Sequence, residues 1–159
     1  MTVQVGDRIP ETVVTTMADA GPNPLTTTDY FSGRRVVLFS VPGAFTPTCS
    51  ARHLPGFVEH AEALKAKGID AIACTAVNDV FVMDAWGKSA GADAVDMLAD
   101  GNGEFVKALG LELDATGFGM GHRGQRVALV ADDGVITHLF VEDGGDFKVS
   151  SAEHVLGAL

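Results

Sequence analysis

Short apolar runs alternate along this chain with segments of helical periodicity. Residues 36–41 are apolar and largely β-branched, and they lie between a pair of arginines and a Pro-Gly pair, which predicts a buried strand. Residues 48–67 carry apolar side chains at helical spacing and predict a helix. The same criteria predict strands at 69–77, 95–99, 127–131 and 135–141, and helices at 80–89, 104–109 and 151–159.

The order of these elements indicates the fold class. A strand–helix–strand unit is followed by a hairpin, signalled by Asp133-Gly134, and by a last helix. This order implies a mixed sheet with helices on both faces, an α/β plan that resembles the thioredoxin-like three-layer sandwich. The chain contains no repeat and no long linker, so we expect residues 1–159 to form one domain.

Charge and hydropathy exclude several classes of partner. The net charge is −10, and no basic run is longer than Arg34-Arg35, so a nucleic-acid backbone would be repelled. No apolar run approaches the roughly 20 residues of a membrane span. The first residues lack the basic and then apolar layout of a secretory signal, so we expect a cytoplasmic protein.

The cysteines and histidines show no pattern of a disulfide framework or a metal site. Cys49 and Cys74 are the two cysteines, and neither belongs to a Cys-x-x-Cys pair. The five histidines lack the spacing of metal ligands, so we expect no metal and no bound cofactor. Any cysteine chemistry therefore starts from a single thiol.

Cys49 lies where a helix is predicted to begin. Thr46 is a favourable N-cap, Pro47 suits the first helical position, and Cys49 then takes the third. This order predicts that the Thr46 hydroxyl lies near the sulfur. Free N–H groups and the positive end of the helix dipole favour a thiolate there. The alternative is that Cys49 is a small buried apolar residue.

The spacing Pro42-x-x-x-Thr46-x-x-Cys49 resembles the signature of the peroxiredoxins. The longer string at 42–57 is similar to that of their fifth, atypical subfamily. The likeness continues through Ala73-Cys-x-x-Val-Asn-Asp79, Trp86-Gly87, Leu98-Ala-Asp100 and Arg126.

This resemblance implies that the chain reduces hydrogen peroxide and alkyl hydroperoxides. It implies that the Cys49 thiolate attacks the peroxide and becomes a sulfenic acid. Thr46, Arg126 and the backbone N–H of Cys49 would stabilise the departing oxygen, and Pro42 would shield the thiolate from solvent.

Other interpretations of these residues remain open at this stage. Thr46 could serve only as a helix cap, and Arg126 could pair with a surface carboxylate. His53 shares a helix face with Cys49, but a single helical histidine is usually solvated, so we treat it as secondary. Pro55 should kink the helix. The two aromatics Phe45 and Phe118 belong to the core or the rim, or they line an apolar pocket.

The sequence departs from the subfamily pattern where many members carry a resolving cysteine. Val149 stands at that position, and Cys74 lies in an apolar strand as an expected inert core residue. We therefore expect a one-cysteine cycle in which glutathione, glutaredoxin or thioredoxin reduces the sulfenic acid.

Two other functions and the assembly state also remain open. The chain could be a redox sensor that passes oxidation to a partner, or a thiol–disulfide oxidoreductase, although the absence of Cys-x-x-Cys opposes the latter. We expect a homodimer formed through a loop-rich edge around 43–46, 78–86 and 115–121.

Overall fold

A seven-stranded mixed sheet with helices on both faces forms the centre of the computed structural model, which describes residues 1–159. The strands are β1 (Val13–Ala18), β2 (Gly21–Thr26), β3 (Arg35–Ser40), β4 (Ala71–Ala76), β5 (Asp96–Ala99), β6 (Glu112–Asp114), β7 (His122–Gly124), β8 (Val127–Asp132) and β9 (Val135–Val141). The helices are α1 (Thr27–Phe31), α2 (Leu54–Glu59), α3 (Ala61–Ala66), α4 (Val80–Ser89), α5 (Glu104–Leu109) and α6 (Ala152–Ala158). A π-helical turn, Cys49–His53, precedes α2.

The strand order in the large sheet is β2-β1-β5-β4-β3-β8-β9, and β6 and β7 form a separate ribbon. Strand β3 is central, and it pairs in parallel with β4 and antiparallel with β8. Because successive side chains of a strand point to opposite faces, Phe39 and its β4 neighbour Cys74 face one side of the sheet, whereas Leu38 faces the other.

Each face of the sheet is covered by its own helices. Buried residues of α2, α3, α4 and α6 pack in one apolar cluster with Phe39 and Cys49. Buried residues of α1 and α5 pack with Leu38 in the second cluster. The predicted thioredoxin-like three-layer α/β sandwich is therefore confirmed. No helix is long and apolar enough to cross a membrane.

The helix predicted at 48–67 is broken into three pieces. The chain turns helical at Pro47, and the N–H of Leu54 then donates to the Cys49 carbonyl, five residues back, which makes the π turn. Pro55 follows directly, and its missing N–H accounts for the irregular hydrogen bonding that the sequence predicted as a kink. A second break at His60 separates α2 from α3.

The hairpin and the other central elements lie close to their predicted bounds. Asp133 and Gly134 have φ of 50° and 79°, the left-handed pair of a tight hairpin turn between β8 and β9. The sequence did not reveal β1, β2 or α1. Strand β2 contains Pro22 and Pro24, which mask its strand signal but are tolerated because β2 is an edge strand.

Candidate active site

Cys49 lies in the first turns of the helical segment that follows the carboxyl end of β3. Its side chain is fully buried, and it belongs to the apolar cluster under α2. Its sulfur nevertheless accepts a hydrogen bond from Arg126 Nη2 at 3.1 Å. A guanidinium is permanently protonated, so this contact stabilises an anionic sulfur. Cys49 is thus buried like a core cysteine, but it also accepts a hydrogen bond from a charged donor. An inert core cysteine does not need such a donor.

Arg126 reaches the sulfur because of the sheet topology. It immediately precedes β8, and the antiparallel register pairs Val127 with Ser40 at the end of β3. The start of β8 therefore lies beside the end of β3, from which the chain leads to Cys49. Arg126 makes no ion pair with any carboxylate, so the alternative role as a surface ion-pair partner is wrong.

His53 links Arg126 to the opposite side of the site. Its side chain is fully buried, with Nδ1 2.9 Å from Arg126 Nη1 and Nε2 2.9 Å from the Ser150 carbonyl. Arginine only donates and a carbonyl only accepts, so Nδ1 carries the lone pair and Nε2 carries the hydrogen. Burial, together with the adjacent Arg126 charge, lowers the pKa of His53 to about 3, so the ring is neutral. The expectation of a solvated histidine is wrong.

The segment after β9 closes over His53. Glu142, buried at the end of this strand, accepts hydrogen bonds at Oε2 from the backbone N–H groups of Lys148 and Ser150, each at 2.8 Å. The Ser150 hydroxyl donates to the same oxygen at 2.6 Å. The Phe147 ring packs edge-on against His53, with centroids 5.0 Å apart. The sequence analysis missed these residues because no motif marks a buried glutamate at a strand end.

Thr46 occupies the predicted start of the helix but makes a different hydrogen bond. Its carbonyl accepts the Ser50 N–H at 2.9 Å, as a helix-initiating residue should. Its hydroxyl, however, donates to the Gly43 carbonyl at 2.6 Å, and the expected cap hydrogen bond from its side chain is not formed. The Thr46 hydroxyl has therefore used its one hydrogen and is left as an acceptor.

A cavity of about 540 Å³ opens beside these groups. Its lining includes Pro42, Thr46 and Arg126 but not the fully buried Cys49. Phe118 also lines it and is 86% exposed, so this aromatic lies on the rim and not in the core. Phe45 is half exposed, and its ring lies 6.5 Å from that of Trp86.

Cys74 is fully buried in β4, and both cysteines are free. Burial raises the pKa of Cys74 well above its ordinary value, the proximity of Cys49 raises it further, and Arg126 opposes the shift. Its thiol is therefore protonated at neutral pH and a poor nucleophile. No cluster of three or more histidine, cysteine or acidic side chains could hold a metal ion.

A family model and several named relatives identify the family of this chain. The family model described as Redoxin matches residues 4–156. Peroxiredoxin-2E-2, chloroplastic, of Oryza sativa subsp. japonica is 51% identical over 99% of this chain and 73% of its own length. Peroxiredoxin-2B of Arabidopsis thaliana is 48% identical over 99% of this chain and 98% of its own length. The structure of reduced Prx3 from Vibrio vulnificus in complex with hydrogen peroxide superposes with a TM-score of 0.96 at 48% identity and covers 99% of both chains.

Proposed function

Because this chain belongs to the Redoxin family, and within it to the peroxiredoxins, it is a thiol-dependent peroxidase, and we propose that it works through a one-cysteine cycle at Cys49. The observation that carries this proposal is the 3.1 Å hydrogen bond from Arg126 to a buried sulfur that has no other cysteine of comparable reactivity beside it.

In the first step the Cys49 thiolate attacks the terminal oxygen of a hydroperoxide. The S–O bond forms as the O–O bond breaks, so the sulfur is oxidised to a sulfenic acid and the peroxide is reduced to an alkoxide, or to hydroxide for hydrogen peroxide, which solvent protonates. Arg126 supplies charged N–H donors where the departing oxygen becomes negative.

Thr46 acts as an acceptor in this scheme, although the resemblance implied a donor. Its hydroxyl hydrogen is held by Gly43, so its oxygen accepts the O–H of the incoming hydroperoxide and aligns the O–O bond with the sulfur. Pro42, half-buried at the cavity wall, excludes water from the same space.

We assign both hydrogen peroxide and alkyl hydroperoxides as substrates. The Vibrio relative that binds hydrogen peroxide supports the smaller one. The cavity of about 540 Å³, with the apolar side chains Leu113, Phe118 and Met120 in its wall, has room for an alkyl group.

An external thiol then reduces the sulfenic acid. It forms a mixed disulfide with Cys49 and releases water, and a second thiol displaces Cys49 and leaves as the oxidised reductant. In many members of the subfamily a second cysteine of the same chain attacks the sulfenic acid, and half-buried Val149 stands at that position here. Cys74 is buried and protonated, so it is a poor nucleophile for this step. We propose glutathione, glutaredoxin or thioredoxin as the reductant. The two free cysteines are compatible with the reducing cytoplasm that we propose as the location.

Cys49 is fully buried, so every reactant needs some local movement, and a thiol that is bulkier than hydrogen peroxide needs a larger opening. The π turn is a single-turn element, and the hydrogen bond from Trp86 Nε1 to Ser50 Oγ at 3.0 Å connects it to α4. Release of this bond would expose the oxidised sulfur to a reductant.

We also propose a homodimer that uses the active-site edge. Each of the three segments expected to form the interface presents an exposed aromatic residue: Phe45, Phe81 at the start of α4 and Phe118 are 54%, 63% and 86% exposed. Sedimentation should give a dimer that Phe81→Ser weakens. A monomer at all concentrations would contradict it.

The deciding experiment is intact-mass analysis after one equivalent of hydrogen peroxide, on the wild type and on Cys74→Ala. Both should gain one oxygen on Cys49, and both should turn over peroxide with excess glutathione and glutaredoxin. A quantitative Cys49–Cys74 disulfide in the wild type would overturn the one-cysteine cycle. A single stoichiometric burst with every reductant would favour the redox-sensor alternative.

A further inference from the structure

The carboxylate of Glu142 is buried, and its hydrogen bonds all come from the segment that closes the active site. The backbone N–H of Glu142 donates to the Arg126 carbonyl at 3.0 Å. We propose that Glu142 is a positioning residue of the peroxidase reaction: it fixes the Ser150 carbonyl that orients His53, and His53 in turn orients Arg126 on the Cys49 sulfur. This inference rests on the proposed function and extends it to Glu142, which lines the cavity but makes no hydrogen bond to the Cys49 sulfur.

The first step of the argument is the anchoring of the segment. Residues 142–151 contain no helix or strand, and glycines 144 and 145 in their middle are exposed. The segment is held at its far end by the three hydrogen bonds that Lys148 and Ser150 donate to Glu142 Oε2. Bonds to an ionised acceptor are stronger than neutral ones. Burial alone would raise the pKa of Glu142, but these hydrogen bonds, led by that of the Ser150 hydroxyl, lower it, so the anchor is charged.

The second step is the transfer of this constraint to His53. The Ser150 carbonyl is the acceptor for His53 Nε2, and it selects the tautomer in which Nδ1 is unprotonated. Were the carbonyl displaced, the buried Nε2–H would lose its partner and the tautomer with a hydrogen on Nδ1 would compete. That hydrogen would face the N–H of Arg126 Nη1, and the two donors would repel each other.

The third step is the effect on the sulfur. The Arg126 guanidinium donates to both His53 and Cys49. Its Nη1 lies 2.9 Å from His53 Nδ1, and its Nη2 lies 3.1 Å from the Cys49 sulfur. Because the guanidinium is planar and rigid, the first bond sets the direction of the second. Loss of the His53 acceptor therefore releases the donor on which the reactivity of Cys49 depends.

Asp100 provides a matched control. It is also a buried carboxylate that accepts two backbone N–H groups, those of Phe105 and Val106, where it holds the start of α5. It has no hydrogen bond to His53, Arg126 or Cys49. Glu142→Gln and Asp100→Asn each remove a carboxylate that anchors backbone N–H groups, but only the first anchor is connected to the sulfur. Asp100 accepts one N–H on each oxygen, so Asp100→Asn is the more disruptive change for local structure and a stringent control.

The test compares Glu142→Gln and Asp100→Asn with the wild type in three measurements. These are the second-order rate constant of Cys49 oxidation, followed by Trp86 fluorescence, the pH profile of that rate, and ¹⁵N NMR of the histidine rings. For Glu142→Gln we expect oxidation slowed about ten- to hundredfold, a pH profile moved to higher pH, and loss of the single Nε2–H tautomer of His53. Asp100→Asn should keep the wild-type profile and tautomer even where its melting temperature falls.

A wild-type rate and His53 tautomer in Glu142→Gln would overturn the inference, as would equal losses in both variants. If Glu142→Gln does not fold, Ser150→Ala removes one of the three anchoring bonds and keeps the backbone carbonyl, and it should show a smaller effect of the same kind. Failure of the wild type to consume peroxide would instead remove the proposed function.

Discussion

The Cys49 sulfur and Arg126 Nη2 lie 3.1 Å apart although 77 positions separate the two residues in the chain. Arg126→Gln keeps a polar side chain but removes the charge and the paired donors, so oxidation of Cys49 by hydrogen peroxide should slow by about 10²–10³-fold. Stopped-flow kinetics measures this. Arg35→Gln, at the opposite end of β3, is the charge-matched control and should oxidise like the wild type.

Thr46→Val removes the hydroxyl while it preserves the shape of the side chain. We expect peroxide oxidation to slow by roughly tenfold, which corresponds to the loss of one hydrogen bond of about 1.4 kcal/mol in the transition state. Thr46→Ser should restore most of the rate. Thr48→Val, which changes a neighbouring cavity residue whose side chain makes no hydrogen bond, should have little effect, and equal losses at both positions would argue against the acceptor role.

The burial of His53 makes folding sensitive to acid. Its pKa is about 3 in the folded protein and 6.5 for an ordinary histidine, so between these values the unfolded chain binds a proton that the folded chain excludes. The contribution of His53 to the free energy of unfolding is therefore fully present above about pH 6.5. It decreases as the pH falls, by up to about 1.4 kcal/mol per pH unit.

Urea unfolding between about pH 6.5 and pH 5 isolates this contribution, because carboxylates titrate mostly at lower pH. In His53→Gln the slope in this range should flatten, whereas His122→Gln, which changes an exposed histidine, should retain it. An unchanged slope in His53→Gln would show that other groups cause the acid sensitivity.

The Trp86–Ser50 hydrogen bond should control the reductive half of the cycle. Ser50→Ala leaves the buried indole N–H without its partner, which costs about 1–3 kcal/mol in the closed form and favours local opening. Reduction of the sulfenic acid by glutathione should accelerate at least fivefold, while oxidation by peroxide should not. Trp86 is the sole tryptophan, so its fluorescence reports both steps. Ser89→Ala, at the exposed end of α4, is the control, and equal acceleration of both steps would contradict the proposal.

The sequence predicted the central fold and marked the candidate site residues, because both leave local signals. Apolar runs and the Asp133-Gly134 pair marked β3, β4, β8 and β9, and the Pro-Thr-Cys spacing marked the helix start. The burial of His53 and the role of Glu142 leave no such signal, because they arise only when β3, β8 and β9 bring three distant segments together. The direction of the Thr46 hydrogen bond is likewise decided by the loop carbonyl of Gly43 and not by helix-cap preference.

Cys49 is itself a member of the larger apolar cluster, to which Phe57 and Phe39 also belong. A reducing thiol that approaches the Cys49 sulfur must therefore disturb the same packing that stabilises the fold. Substitutions that make this region more rigid should raise thermal resistance and, at the same time, slow recovery from oxidation. Thermal stability and the rate of reduction of Cys49 therefore place opposing requirements on the same side chains.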